Sequence, residues 1–253
     1  MTLIQLNNYF NEFLKKEEFP GDPSLNGIQI ENSAPDYKEI KKIAFAVDAC
    51  EETAKIAAEK GADVLIVHHG LFWGGCQTIT GSHYKRISAF MKNDIALIAY
   101  HLPLDANNPY GNNFGMGVKA GLENLEPFGT WRGMTLGAKG ELKEAVTLVQ
   151  LSEKLGFGKE ALLLPFGKNL ISKVGIISGG GGEDVDQAVA ADLDCFVTGE
   201  FQHEQYHYAK EMKMNVIAAG HYASETMGVS LLMDKVKKEL GIEAVFIDLP
   251  TNL

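Results

Sequence analysis

The amino-acid sequence predicts an α/β fold made of two related α/β domains, with mostly parallel sheets and flanking helices. Three observations predict it. Apolar runs of strand length alternate with segments of helical periodicity, polar residues gather at the C-terminal ends of those runs, and the second half of the chain repeats the order of the first. Continuous apolar runs separated by helices are typical of parallel strands covered on both faces.

The first half opens with an amphipathic helix that Pro20 stops, and its apolar positions are Ile4, Leu6, Tyr9, Phe10, Phe13 and Leu14. Strands and helices then alternate, in the order strand KKIAFAVDA (41–49), helix CEETAKIAAEKG, strand ADVLIVHHG, helix SHYKRISAFMKND and strand IALIAYHLPLD. Gly61 is expected to end the first of these helices, because glycine adopts the left-handed conformation that follows many helices. Active sites in such sheets lie beyond the carboxyl ends of the strands.

The second half repeats this pattern, which indicates an internal duplication. Residues 172–180 match 41–49, and the strand from Asp194 takes the place of the strand from Asp63. Residues 215–225 match 95–105, and both halves continue to Met-Gly-Val. We therefore predict a first domain at 1–125 and a second at 126–225. The segment from about 226 to 253 forms a long helix and a final strand that can return to the first domain.

Composition and charge narrow the functional class. The chain has 253 residues, 45% of them hydrophobic, and a net charge of −10. An acidic chain is a poor general nucleic-acid binder, because affinity for phosphate backbones comes from clustered Lys and Arg. We expect no membrane span and no secretory signal, since no apolar run is long enough and the N-terminus lacks a basic start. Cys50, Cys76 and Cys195 form no paired motif, so we expect a cytoplasmic protein.

Histidines and carboxylates follow the second and third strands of each repeat. The first repeat supplies His68, His69, His101 and Asp105, and the second supplies His221 and Glu225. Both third strands therefore end in a His followed four residues later by a carboxylate. A set of imidazole and carboxylate groups without thiolate suits Zn, Fe or Mn.

The adjacent pair His68 and His69 poses a geometric problem, because neighbouring strand residues point to opposite faces. They can share one site only where regular strand geometry breaks, and Gly70 permits such a break. Alternatively, each can contact a different metal a few Å from the other. A bridging carboxylate usually holds such a metal pair, and Glu225 is the best placed candidate.

Other polar features have plainer interpretations. His101 can be a metal ligand, a partner of a ligand or a general acid/base. We interpret His83, His203 and His207 as hydrogen-bonded residues outside the site. The segment SGGGGED (178–184) leads from a strand into a helix but lacks a phosphate-loop pattern, so a tight turn is favoured. Asn26-Gly27 in SLNGIQIEN is a turn signal that structure alone can explain.

Five segments in this order, SLNGIQIE, VHHGLFW, HLPLD, SGGGG and GHYASE, resemble the Nif-three-like dinuclear metal-centre proteins, also named GTP cyclohydrolase 1 type 2 homologues. The resemblance covers nearly the whole chain. It implies a two-domain α/β protein assembled as a ring-like homohexamer, with metal pairs facing the interior. It also implies two divalent metal ions per chain, held by His68, His69, Asp105, His221 and Glu225. Glu225 would bridge them, and His101 would sit at the site without being a settled ligand.

Two functions follow as hypotheses. The first is a dinuclear-metal-dependent hydrolase of a small molecule, with GTP as the substrate that the resemblance implies. Metal-activated hydroxide would attack the guanine imidazole ring and formate would leave, with His101 carrying a proton and Glu225 also part of the catalytic set. The second is a non-catalytic metal-binding, metal-delivery or scaffold protein, which needs the ligands but no positioned acid/base.

Overall fold

The computed structural model describes residues 1–253 and confirms the α/β class. The strands are β1 Gly27–Ile30, β2 Lys42–Asp48, β3 Val64–His69, β4 Ala96–Ala99, β5 Leu122–Trp131, β6 Met134–Val146, β7 Leu162–Leu164, β8 Ile171–Ile177, β9 Cys195–Thr198, β10 Asn215–Ala218 and β11 Glu243–Phe246. The α-helices are α1 Leu3–Leu14, α2 Glu51–Glu59, α3 Gly81–Lys92, α4 Leu102–Ala106, α5 Asn112–Ala120, α6 Leu148–Leu155, α7 Val185–Ala190, α8 His203–Glu211 and α9 His221–Glu239. None of these helices has both the length and the apolar character that a membrane span requires.

The chain divides into two compact units. Unit 1 contains residues 1–104 and 229–249, and unit 2 contains residues 105–228 and 250–253. The domain limits inferred from the sequence, 1–125 and 126–225, stay a prediction.

Unit 1 is built on a five-stranded sheet in the order β1-β4-β3-β2-β11. The pairs β4–β3, β3–β2 and β2–β11 are parallel, and only the edge strand β1 runs antiparallel to its neighbour. Both faces of the central strands are covered: Leu65 and Val67 lie in one buried cluster with Phe90 of α3, while Ile66 is fully buried on the other face. Double-sided burial explains why these strands are continuously apolar in sequence.

The helices of unit 1 begin and end at residues whose chemistry fits those positions. Thr2 caps α1 by accepting a hydrogen bond from the backbone N–H of Gln5, and the Gln5 side chain accepts one from the Thr2 backbone in return. This reciprocal pair satisfies two N–H groups that the first turn leaves without helical partners. As expected, a left-handed Gly61, with φ of +68°, follows α2.

Unit 2 is built on a six-stranded mixed sheet in the order β5-β6-β8-β9-β10-β7. Only β8–β9 and β9–β10 are parallel, and the other three pairings are antiparallel. The expectation of mostly parallel sheets therefore applies to unit 1 and not to unit 2. The reason is a long hairpin, β5–β6, whose turn residues Arg132 and Gly133 both have positive φ. Such a two-residue turn joins antiparallel strands directly, without a crossover helix.

The internal duplication is visible in the strand order of the two units. In each unit three parallel strands lie side by side in chain order: β2, β3 and β4 in unit 1, and β8, β9 and β10 in unit 2. A short antiparallel strand pairs with the third of them in each case, β1 with β4 and β7 with β10. The carboxyl ends of each parallel set meet at one edge, which is where the repeats carry their polar residues.

Candidate metal centre

Three histidines come together at the carboxyl edge of the unit 1 sheet. His68 and His69 end β3, and His101 follows β4. One ring nitrogen of each lies within 4.8 Å of those of the other two. The ring centroids of His68 and His69 are 4.5 Å apart, and that of His101 lies 5.1 Å from His68 and 5.6 Å from His69. This cluster of imidazoles could hold a metal ion.

The Nδ1 atom of each of these histidines contacts an oxygen that can only accept a hydrogen bond. The partners are the Tyr100 carbonyl for His68 at 3.0 Å, Asp48 Oδ1 for His69 at 2.9 Å and Asp22 Oδ1 for His101 at 2.9 Å. Nδ1 must therefore carry the proton, and Nε2 would be the ligand atom. Metal-binding histidines are commonly oriented by such a bond from the other ring nitrogen.

Gly70, directly after the histidine pair, lies where the chain leaves the strand. Its φ is not positive, so its role differs from that of a left-handed turn residue. A Cβ at this position would collide with the side-chain amide of Gln29. Gln29 Oε1 accepts hydrogen bonds from the backbone N–H of Leu71 at 2.7 Å and of Phe72 at 3.2 Å. The missing side chain thus lets Gln29 hold the turn that follows the two histidines.

An aromatic side chain forms one wall of the histidine cluster. The Trp73 ring centroid lies 4.9 Å from that of His101, edge to face, and 5.8 Å from that of His69. The indole is held in place by a hydrogen bond from Nε1 to the Gly70 carbonyl oxygen, 3.0 Å away. A partly buried ring fixed in this way excludes water from one side of the cluster and offers a flat apolar surface.

Asp22 is an almost fully buried carboxylate beneath His101, with 1% of its side chain exposed. Burial would raise the pKa of Asp22, but it is outweighed by the hydrogen bond from His101, the charge that His101 carries when it is protonated, and the hydrogen bonds from Asn26 and the Ser24 backbone N–H. The pKa of Asp22 therefore lies below its ordinary value of 3.8, and the group stays ionised at neutral pH.

In unit 2, His221 and Glu225 lie one turn apart in α9. His221 Nε2 and Glu225 Oε1 are 3.2 Å apart, and His221 Nδ1 contacts Glu200 Oε1 at 2.6 Å. The hydrogen bond and charge of Glu225, helped by Glu200, raise the pKa of His221 to about 9 against the opposing effect of burial. In the metal-free chain His221 is thus protonated, and coordination requires that this proton leave.

Asp105, in α4, is a second buried carboxylate of unit 2. Its Oδ1 accepts hydrogen bonds from Asn112 Nδ2 and Ser178 Oγ, both at 2.9 Å. Asn112 Oδ1 in turn accepts from the backbone N–H of Gly228 in α9 at 2.7 Å. These donors orient the Asp105 carboxylate, as hydrogen bonds to metal-binding carboxylates commonly do.

The glycine-rich segment 178–184 packs against the start of α9 in unit 2. Gly179 has φ of +60°, and a Cβ there would collide with Glu225 Oε1 and lie 3.1 Å from His221 Nε2. Its backbone N–H donates to Ser224 Oγ at 2.9 Å. The segment does form a tight passage from β8 into a short helix, Gly181–Asp184. Its first glycine also leaves room for the two candidate ligands on α9.

The sequence pointed to the six candidate residues, which stay a prediction as a site, but not to the oxygens that orient the histidines. Glu200 could have been found, because the alignment of the repeats that places Asp194 over Asp63 also places Glu200 over His69. Asp48 could also have been found, since it ends β2 at the same sheet edge. Asp22 gives no such signal, because it lies in an irregular loop before β1.

Comparison with known proteins places the chain in a family. A family model described as Duf34/NIF3 (NGG1p interacting factor 3) matches residues 1–252. The chain belongs to the Duf34/NIF3 family. The resemblance seen in the sequence segments is confirmed.

Relatives in this family share most of the fold and a substantial part of the sequence. Proteins named GTP cyclohydrolase 1 type 2 homolog are 43% identical in Archaeoglobus fulgidus and 41% identical in Treponema pallidum, each with all of both chains covered. A crystal structure of TTHA1606 from Thermus thermophilus matches with a TM-score of 0.90 at 37% identity over all of both chains. A structure titled protein ybgI, unknown function, matches with a TM-score of 0.90 at 30% identity, again over both whole chains.

Proposed function

We propose that this Duf34/NIF3 protein is a dinuclear-metal-dependent hydrolase of a small molecule. The observation that carries the proposal is the cluster of His68, His69 and His101, whose Nδ1 atoms all bond to oxygen acceptors. These bonds orient the three imidazoles so that their Nε2 atoms are available to the space between the rings. The donor atoms available are nitrogens and carboxylate oxygens, which fits Zn, Fe or Mn.

The residues that we propose would hold the two ions are His68, His69, Asp105, His221 and Glu225. His68, Asp105 and Glu225 are almost fully buried. A divalent ion would offset the cost of burying the carboxylate charges of this set. Bound ions of this kind activate water as a nucleophile at neutral pH and polarise the bond under attack.

The remaining side chains of the histidine cluster would bind and orient the substrate. Trp73 gives a flat wall for a ring-shaped substrate and keeps water from one side. His101 holds its Nδ1 proton against Asp22, so its Nε2 can accept a proton from the reacting region and return it to the leaving group. This division of roles assigns acid/base chemistry to His101 and metal binding to the other histidines.

For the substrate we propose a nucleotide with a purine ring, GTP first. The support is the shared name of the relatives, GTP cyclohydrolase 1 type 2 homolog, one of which is 43% identical over the whole chain. One water would open the guanine imidazole ring at C8 and leave a formamide, and a second water would hydrolyse that formamide to release formate. Proton transfer at a ring nitrogen is the step that His101 would serve.

The test begins with elemental analysis of protein purified without added metal, followed by a formate-release assay with GTP. We expect two ions per chain and turnover. His101→Ala should retain the metal and lose activity, whereas Glu225→Ala should lose both. His203→Ala, which removes an exposed histidine of α8, is the matched control and should change neither.

Two results would count against the enzyme. Two ions per chain with no turnover on GTP or other nucleotides would favour the alternative, a metal-binding or metal-delivery protein. Hydrolysis that is unaltered in Glu225→Ala would overturn the proposed ligand set and its catalytic role together.

We also propose self-association into the ring-like homohexamer that the resemblance implies. Light scattering on the purified chain measures this directly, because a hexamer has six times the 27.6 kDa mass of the chain. A monomer across the working concentration range would contradict it.

A further inference from the structure

The loop before β1 packs closely against His101, and none of its residues belongs to the proposed ligand set. It contains Asp22, Ser24 and Asn26, and its Asn26-Gly27 pair is the turn signal noted in the sequence. The Asp22 side chain is only 1% exposed, whereas that of His101 is 19% exposed. A buried carboxylate in an irregular loop is costly unless its oxygens are fully hydrogen-bonded.

Four donors satisfy the Asp22 carboxylate. Oδ1 accepts from His101 Nδ1 and from the Ser24 backbone N–H, both at 2.9 Å. Oδ2 accepts from Asn26 Nδ2 at 2.8 Å and from the Leu102 backbone N–H at 3.1 Å. Each oxygen thus has two donors, and the carboxylate has no freedom to rotate away from His101.

Asn26 adds a second restraint on the same histidine. Its Oδ1 accepts a hydrogen bond from the backbone N–H of His101 at 2.8 Å. Its own backbone oxygen accepts one from Lys16 Nζ at 3.3 Å. One loop therefore fixes both the main chain and the imidazole of His101.

We propose that Asp22 is a positioning residue that locks His101 in the Nδ1–H tautomer, so that Nε2 faces His68 and His69 as a proton acceptor. This role rests on the proposed function, in which His101 transfers a proton. It adds Asp22 as the residue that holds His101 in the tautomer needed for that transfer. A carboxylate can only accept a hydrogen bond here, so the tautomer is dictated by the contact.

His69 offers an internal comparison. Its Nδ1 also contacts a carboxylate, Asp48, at 2.9 Å, but 37% of the Asp48 side chain is exposed. Water can replace Asp48 as the hydrogen-bond acceptor, whereas the buried site of Asp22 has no such substitute. Asp48 is therefore the matched control for Asp22.

The first experiment measures the histidine tautomers directly in the intact metal-free chain, by long-range proton–nitrogen correlation NMR with ¹⁵N-labelled histidine. The His101 signals are assigned by their loss in His101→Ala. We expect a His101 ring with a protonated Nδ1 and an unprotonated Nε2. A His101 protonated at Nε2 alone would overturn the proposal, and this result needs no variant of Asp22 and no enzymatic activity.

Asp22→Asn should reverse the tautomer. An amide that kept its oxygen toward His101 would point its NH₂ group at two donors, Asn26 Nδ2 and the Leu102 N–H. In the opposite orientation the NH₂ group faces only one donor, the Ser24 N–H. The same NH₂ group then donates to His101 Nδ1, which must be unprotonated to accept. We therefore expect Nε2 of His101 to become protonated in Asp22→Asn and to remain unprotonated in Asp48→Asn. An unchanged His101 tautomer in Asp22→Asn would contradict the proposal.

The functional consequence is tested in a double-mutant cycle on formate release. Asp22→Asn should retain the metal and lower kcat by at least about 100-fold, as wrong-tautomer variants of histidine bases do. In the His101→Ala background the same change should cost nothing further, because Asp22 acts through His101. Additive losses in the double variant would show an independent structural role. If the chain lacks hydrolase activity altogether, the NMR result still decides the tautomer.

Discussion

Asp194 does in unit 2 what Asp63 does in unit 1: one carboxylate oxygen bridges two successive backbone N–H groups of the neighbouring strand. Asp63 Oδ2 accepts from Lys41 at 2.8 Å and Lys42 at 3.1 Å, and Asp194 Oδ2 accepts from Ser172 and Lys173 at 3.0 Å each. The two residues are also equivalent in the aligned repeats. Such a contact fixes how two parallel strands begin, so its repetition supports the duplication independently of strand order.

The two aspartates should differ in their contribution to stability. The Asp194 side chain is 6% exposed and contacts Lys168 Nζ at 2.6 Å, whereas the Asp63 side chain is 20% exposed and lies 3.7 Å from Lys38 Nζ. Asp194→Ala leaves two partly buried N–H groups without this acceptor, and we expect it to lower the free energy of unfolding by about 1–3 kcal/mol. Asp63→Ala should cost less, because water reaches its partners. Urea unfolding followed by circular dichroism measures both, and an equal or larger loss in Asp63→Ala would contradict the explanation.

Asp184 should reduce stability at neutral pH. Burial, with smaller contributions from the charges of Asp186 and Glu183, raises its pKa to about 6 despite a hydrogen bond from Gln187. The folded chain thus holds this proton more tightly than the unfolded chain, whose carboxyl has a pKa of 3.8. The cost of ionisation is therefore fully present above pH 6 and disappears as the pH falls below 3.8.

Asp184→Asn is accordingly expected to stabilise the chain at pH 7 and to have little effect near pH 4. Since the carboxyl is partly solvated, the expected gain is about 1 kcal/mol, less than the full pKa shift would give. Thermal unfolding of the metal-free chain at both pH values provides the measurement. Asp192→Asn is the control, because the Asp192 side chain is 92% exposed. A gain at pH 7 that persists unchanged at pH 4 would rule out ionisation as its cause.

Gly179 should be required for the arrangement of His221 and Glu225. Gly179→Ala introduces a Cβ that collides with the Glu225 carboxylate, at a φ of +60° that alanine adopts poorly. We expect a loss of bound metal at a modest cost in folding. Gly180→Ala is the matched control, because its φ is −79° and no atom lies within 4 Å of the place that the added methyl group would take. Elemental analysis of both variants tests this, and equal metal content in the two would contradict it.

Glu200 should tune the affinity for metal through His221. Glu200→Gln keeps an oxygen that can accept from His221 Nδ1 but removes the negative charge, which makes Nε2 a weaker ligand. We expect about a 10-fold weaker metal affinity, measured by competition with a chelator. Glu204→Gln, on the exposed side of α8, is the control. Tighter binding in Glu200→Gln than in the unmodified chain would refute the orienting role.

Much of the fold could be inferred from the chain alone. The continuous apolar runs of β2, β3 and β4 predicted buried parallel strands, because only strands covered on both faces are apolar at every position. The long hairpin β5–β6 was not foreseen, since its exposed positions carry charges and glycines that resemble loop composition. These residues are strands because β5 pairs with β6 and β6 pairs with β8, and such pairing is a tertiary property.

The sequence by itself determined which residue types end each repeat: His68, His69 and His101 in one, His221 and Glu225 in the other. Parallel strands place their carboxyl ends at one edge, so chain order alone assembles such residues. Only the tertiary structure decided which atoms these histidines present. That choice depends on acceptors such as Asp22, far away in sequence and close only because a loop folds under His101. Hydrogen bonds act over about 3 Å, and no local pattern in a chain encodes a contact of that range between distant segments.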